Sequence, residues 1–184
     1  MPTRFFPDHT IESAPPAIRR TLTTTAGQLG FLPVAITRLA SSPHLLDGFL
    51  KISALFETTT LDPLAREVLI MTIAARNGCH LCVAMHTAKL TKLDADPALI
   101  KALQEQQPLD DARLAAIQRF ALAVLAVSGA VDDAVMQDFL DHGYTIQNAL
   151  EVVLGIGAYT MSTLANRLVQ APVDEHLKQF APAE

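Results

Sequence analysis

The chain has 184 residues, half of them hydrophobic and 18% charged, with a formal net charge of −5 and a positive mean hydropathy of +0.27. That length and apolar content suit one globular domain with a substantial core. The net negative charge, with no basic stretch to collect phosphates, excludes a nucleic-acid binder, and no apolar run reaches membrane-spanning length without interruption. So few charges leave apolar surface after folding, which predicts a homo-oligomer.

In chain order the sequence reads as helices throughout. Residues 1–12 form an irregular arm with no apolar stretch of the signal-peptide kind, so the expected compartment is the cytoplasm. Pro15-Pro16 opens a helix to about Gln28, with Gly30 beyond its end. Pro33 starts a short helix to about Ala40, Ser42-Pro43 caps another to about Glu57, and Thr58-Thr59-Thr60 is a β-branched connector. Asp62 as N-cap with Pro63 at the first helical position begins a helix over 62–76, which Asn77-Gly78 stops. A second helix follows over 79–92. Asp96-Pro97 begins a short helix to about Glu105, ended by Gln106-Gln107-Pro108. Asp110 caps a helix to about Val127, broken by Ser128-Gly129. Asp132 or Asp133 opens 133–141, closed by Gly143. Thr145 caps a long helix to about Leu168, and Val173 to Phe180 forms a final turn or two. No segment alternates at period two, so the expected fold is an all-α, single-domain helical bundle spanning 13–184. Aligning Glu67 on Glu151 sets Cys79 against Thr163, Cys82 against Asn166 and His86 against Gln170, which suggests an internal helix-pair duplication.

Chemistry concentrates in residues 67–86. Cys79 and Cys82, the two cysteines of the protein, stand three apart on the first turn of a helix, which brings both sulfurs to one face. His86 lies four residues after Cys82, in register to accept a thiol proton and favour the nucleophilic thiolate. Glu67 sits in the second turn of a helix on which only Thr72 is polar as far as Ala75. Its helical neighbours include no cation, so it is either solvated at an exposed end or paired from elsewhere in the fold. In a reducing cytosol a Cys-x-x-Cys pair is catalytic or metal-binding rather than a structural staple. A metal would need a fourth ligand beside Cys79, Cys82 and His86, with Glu67 or His80 as candidates; no second Cys/His pair exists, so neither a metal nor another cofactor is expected. His80 is expected at the surface or an interface, with a lesser part as a relay or pocket residue. His142 is explained by a helix C-terminus, and Glu151 by the N-terminus of its own helix.

The pattern Glu67-(x11)-Cys79-x-x-Cys82-(x3)-His86 resembles the core motif of the alkylhydroperoxidase D-like branch of the carboxymuconolactone decarboxylase superfamily. The resemblance extends to the Gly-Phe-x-Pro segment at Gly30 to Pro33 and to the late helix ending in Asn166-Arg167, covering roughly residues 10–175. At Leu81 the chain departs from it, since Tyr or His is usual there, and His80 stands one place earlier. The resemblance implies a thiol-dependent peroxidase in which Cys82 attacks a hydroperoxide to become a sulfenic acid and Cys79 resolves it to a disulfide, with His86 and Glu67 drawing off the proton. General helix-terminus reasoning instead favours Cys79 as the more exposed and acidic thiol. A dithiol protein or small thiol would reopen the disulfide. The apolar Leu81, Met85, Ile70 and Ile73 are expected to line a dry pocket for an alkyl hydroperoxide. The family also implies trimers or hexamers. Two other functions stay open: a decarboxylase-like enzyme acting on a small carboxylated lactone, and a non-enzymatic oligomeric thiol switch. Decarboxylase members generally lack the cysteine pair.

Overall fold

The computed structural model describes residues 5–182, so part of the expected arm lies outside the described residues. Nine α-helices follow in order: α1 (Pro16–Leu29), α2 (Val34–Leu39), α3 (Pro43–Glu57), α4 (Pro63–Arg76), α5 (His80–Lys92), α6 (Pro97–Gln104), α7 (Ala112–Ala126), α8 (Asp133–Asp141) and α9 (Ile146–Leu168). A short 3-10 helix, Glu175–Phe180, ends the described chain, and no strand occurs among the described residues. The bundle is all-α, as the absence of period-two alternation implies.

Most helix starts follow from local chemistry. Side chains of Ser42, Asp62, Asp96, Asp132 and Thr145 each accept an N–H of the first turn, and Pro occupies that turn in α1, α3, α4 and α6. At α9 the cap is reciprocal, with the Asn148 side chain reaching back to the Thr145 backbone N–H. The cap of α7 is Asp111, whose carboxylate accepts from Leu114 N, and not Asp110. Both candidates precede the same apolar run, and only the backbone path out of Pro108 decides between them.

The centre of the bundle is α4. It packs against α5, α6, α7 and α9, and every residue from Glu67 to Ala75 is buried. A helix surrounded on all sides has no polar face to spare. Its single hydroxyl, Thr72, turns back to the Val68 carbonyl at 2.7 Å. Phe120, Phe139 and Tyr144 stack in series against this core, with ring centroids 4.2 and 4.4 Å apart. A smaller cluster at the other side, built on Ile18, Leu22, Leu39 and Leu46, is closed by Ala165 of α9 and by Val169 just beyond its end. Arg38 is buried there. It pairs with Asp8 of the arm at 2.6 Å and donates to the carbonyls of Val169 and Gln170, which anchors the chain leaving α9.

The suggested duplication does not appear as a repeated helix pair. Where 67–86 breaks at Asn77-Gly78, the aligned stretch of α9 runs unbroken through Thr163 and Asn166 because it contains no equivalent stop, and Gln170 falls beyond its end. Glu151 does more than favour its helix terminus: it accepts from the Thr60 backbone N–H and hydroxyl at 3.0 and 2.8 Å, tying the connector between α3 and α4 to α9.

Gly155 marks the closest crossing of α9 with the centre. A Cβ there would lie 2.7 Å from both Leu69 Cδ2 and Phe56 Cε2, and those side chains belong to fully buried residues. Gly155→Ala is therefore expected to destabilise the fold by about 1–3 kcal/mol through overpacking. Gly157→Ala, where a Cβ meets nothing within 4 Å, is the control. Urea unfolding of both variants checks the contrast.

Candidate active site

The site begins at the junction of α4 and α5. Gly78 takes the left-handed conformation at φ +63°, the Gly78 N–H bonds the Ala75 carbonyl, and the Cys79 N–H bonds the Ala74 carbonyl, both at 3.0 Å. This pair of bonds is the Schellman ending of α4. The residue that completes it, Cys79, is at once the N-cap of α5, with its Sγ accepting the Cys82 N–H at 3.4 Å. From α9, Thr163 accepts the Asn77 side-chain N–H at 2.9 Å and Arg167 Nη1 donates to the Asn77 carbonyl. The turn that places the first sulfur is held from both sides.

Both cysteines are free thiols and both are buried, so the expectation of a more exposed Cys79 is not met in terms of area. They differ in surroundings. Hydrogen bonding from the Cys82 thiol is the main influence on Cys79; with the Cys82 backbone N–H and the positive charge of Arg167 it outweighs burial and lowers the Cys79 thiol below its ordinary value. Cys82 shifts the other way. Its proton is held against Cys79, and burial and the neighbouring sulfur's charge add to that, while hydrogen bonds from Asn166 and Ser162 only partly offset it. Asn166 Nδ2 donates to Cys82 Sγ at 3.4 Å.

One turn further along α5, His86 Nδ1–H donates to Glu67 Oε2 at 2.6 Å. A carboxylate only accepts, so this bond places the imidazole proton on Nδ1 and leaves Nε2 to exchange a proton. The Tyr159 ring meets the imidazole edge-on, with centroids 5.6 Å apart. Glu67 is paired from elsewhere in the fold: its second oxygen accepts from Lys89 Nζ at 3.4 Å, and Lys89 also reaches Glu57 at 3.1 Å. Burial pushes the Glu67 carboxyl up, but the hydrogen bond and charge of His86 and the charge of Lys89 outweigh it and hold it below the usual carboxylate range. The structure thus brings Glu67 to His86 and Cys79 to Cys82. No hydrogen bond joins His86 to either sulfur among the described residues.

A cleft of about 310 Å³ opens at the thiol pair, lined by Cys79, His80, Leu81, Asn166, Arg167 and Gln170 among others. Cys79 borders it and Cys82 does not. His80 is exposed on its rim. The expected dry pocket is not what forms here. Ile70 and Ile73 are wholly inside the core, Met85 is largely exposed, and of the four residues only Leu81 reaches this cleft. Helical periodicity marks residues as apolar without saying which side of a fully buried helix faces a cavity. Among the described residues no three His, Cys, Asp or Glu side chains gather to hold a metal. Lys89 went unassigned in the sequence, although its place three residues after His86 on α5 puts it on the same face. Ser162 carries no local signal and Asn166 only its place in the Asn166-Arg167 ending of the late helix; the crossing of α9 over α5 sets both against Cys82.

Residues 44–118 match the model of the carboxymuconolactone decarboxylase family. That match spans less than half of the chain and marks a likeness to the family. The fold of the chain is that of the alkylhydroperoxidase D-like branch. A peroxidase-related protein from Ralstonia eutropha with an alkylhydroperoxidase AhpD core superimposes with a TM-score of 0.80 at 22% identity, over 94% of this chain and 93% of that one. A peroxidase-related protein from Silicibacter sp. does so at 0.79 and 21%, over 97% and 96%. The debrominase Bmp8, in complex with 2,3,4-tribromopyrrole, is similar at 0.73 and 18%, over 98% and 96%. No curated protein sequence matches the chain significantly. No described helix is long and apolar enough to cross a membrane.

The buried carboxylate gives a testable asymmetry. Glu67→Gln removes the charge that His86 and Lys89 share and is expected to cost about 1.5–3 kcal/mol near neutral pH. The folded Glu67 carboxyl titrates below its unfolded value of about 4.3, so its stabilisation is complete above that value and is lost as pH falls through the folded one. The stability gap between wild type and Glu67→Gln should be full at about pH 6 and close in stronger acid, as measured by urea unfolding across that range.

Proposed function

We propose that this protein is a dithiol oxidoreductase that reduces organic hydroperoxides, cycling Cys79 and Cys82 between dithiol and disulfide. One observation carries the reading: Cys79 is a thiol at the N-cap of α5, held toward thiolate, and it borders the cleft while its partner cysteine lies behind it. The partial match to the carboxymuconolactone decarboxylase family model and the likeness to peroxidase-related folds support the same class of chemistry.

The thiolate of Cys79 attacks the terminal oxygen of the hydroperoxide. An S–O bond forms, the O–O bond breaks, and two electrons pass from sulfur to the peroxide. The alkoxide leaves as the alcohol, taking the proton that Cys82 holds. Cys82 then attacks the sulfenic sulfur; the S–S bond forms, and the departing hydroxide becomes water by taking a proton that Nε2 of His86, backed at Nδ1 by Glu67, has first picked up from solvent. A dithiol protein or small thiol reduces the disulfide and restores both groups. The family resemblance assigns the attack to Cys82. The N-cap position and the cleft favour Cys79, because a helix N-terminus and a cationic neighbour stabilise sulfur anion there.

The partner on the outer face of α9 in this reading is a second copy of the chain. Ile146, Leu150, Val153, Leu164 and Leu168 lie exposed along one side of that helix, and association in a trimer or hexamer would cover them.

The deciding measurement is intact mass and free-thiol count on reduced protein before and after one equivalent of tert-butyl hydroperoxide. Wild type should lose both thiols with no net oxygen gain. Cys79→Ser should be inert, and Cys82→Ser should stop one oxygen heavier at Cys79. The opposite pattern in the two variants would move the attack to Cys82. Thiols that persist in wild type would sink the peroxidase reading. Their loss to 2,3,4-tribromopyrrole instead would point to reductive dehalogenation.

A further inference from the structure

The mechanism above uses the sulfurs, His86 and Glu67, but leaves one buried polar group at the cleft without work. Asn166 is 7% exposed and lines the cleft, and its Oδ1 is buried with no hydrogen-bond partner. An orphaned buried acceptor costs free energy, on the order of 1–3 kcal/mol, unless something satisfies it. The orientation of the amide is set by its other end. Asn166 Nδ2 donates to Cys82 Sγ at 3.4 Å and to Ser162 Oγ at 3.5 Å. With the amide N–H groups engaged on that side, Oδ1 is the acceptor left over in a residue that lines the cleft.

The rest of the cleft is rich in donors. The first-turn amides of α5 at His80 and Leu81 have no intrahelical acceptor, and the guanidinium of Arg167 stands beside the same sulfur. One acceptor among several donors, next to a thiolate, matches a group that carries a proton on one oxygen and develops negative charge on the next. A hydroperoxide does both. Its terminal oxygen bears the hydrogen and is the atom attacked, while the inner oxygen becomes the alkoxide.

We propose that Asn166 is a substrate-contacting residue: its Oδ1 accepts the O–H of the hydroperoxide and aims the terminal oxygen at Cys79, while Arg167 and the α5 amides stabilise the departing alkoxide. This assignment rests on the hydroperoxide reading of the preceding subsection. The step keeps the balance given there, with S–O formed, O–O broken and the alkoxide leaving as the alcohol. Asn166 accepts a hydrogen bond and exchanges no proton or electron. The site selects substrates that offer a donor at the reacting oxygen.

The test compares two reagents for the same sulfur in full-length reduced protein. tert-Butyl hydroperoxide needs the Asn166 acceptor; iodoacetamide reports only how much Cys79 thiolate is present and reachable. Asn166→Ala should slow oxidation by the hydroperoxide about ten-fold, while alkylation of Cys79, followed by peptide mass, changes by less than roughly twofold. Where the alanine variant loses its helical far-UV signal, Asn166→Ser is used in its place, since its shorter side chain cannot span from Cys82 to the cleft. Equal slowing with both reagents would overturn the proposal and reduce Asn166 to a support for the sulfurs. An unchanged oxidation rate would overturn it as well. Wild type that is alkylated normally yet inert to hydroperoxide would fail the underlying peroxidase reading itself, a result distinct from the failure of Asn166 alone.

Discussion

The structure depends on how one turn is closed. Asn77, Gly78 and Cys79 end α4 and begin α5 within three residues, and Cys79 serves both helices. The Ala74 and Ala75 carbonyls near the end of α4 belong to buried residues. They are satisfied by the left-handed Gly78 and by the Cys79 N–H. The backbone requirement of the core therefore fixes the sulfur at the N-terminus of α5, where unsatisfied amides favour negative charge. Helix packing and thiol chemistry are two consequences of the same hydrogen bonds.

Around that turn the charges are arranged in layers of increasing exposure. The His86–Glu67 pair is almost fully enclosed, and a carboxylate in that setting stays ionised only when it has partners. Lys89 and Glu57 extend the network to half-exposed positions, with Arg66 3.5 Å from Glu57. A buried carboxylate that stays ionised keeps the imidazole oriented and ready to exchange protons through Nε2. The thiols, by contrast, are tuned by neutral groups and by Arg167 from the opposite side, through α9. Acid–base and nucleophilic elements thus share α5 but draw on different neighbouring helices.

The long α9 carries much of this division. Its inner face meets the core at Gly155, reaches the imidazole with Tyr159, holds the junction turn with Thr163 and Arg167, and touches Cys82 with Asn166. Its outer face leaves a line of large apolar side chains in solvent. A helix that is apolar on one face and chemically committed on the other must be read in three dimensions, since both faces have similar Ala/Leu/Val-rich composition. The same composition lets α9 align with α4 and α5 in sequence without sharing their broken geometry.

The sequence by itself determined the helices and the local chemistry. Asp62-Pro63, Asn77-Gly78 and Thr145 mark boundaries through backbone bonds made within a few residues. The three- and four-residue intervals among Cys79, Cys82 and His86 place them on one helix for the same local reason. Glu67 was legible as a carboxylate needing a partner, because an apolar helix offers it none nearby. What only the tertiary structure decided were contacts between residues distant in the chain. These include Glu67 with His86 and Lys89, Asn166 with Cys82, the burial of Ile70 and Ile73 away from any cleft, and the meeting of Cys79 with a cleft that Cys82 does not border. Such contacts depend on the angle and register at which α9 and α5 cross α4. Those are set by how whole helix faces pack, and no local run of residues encodes them.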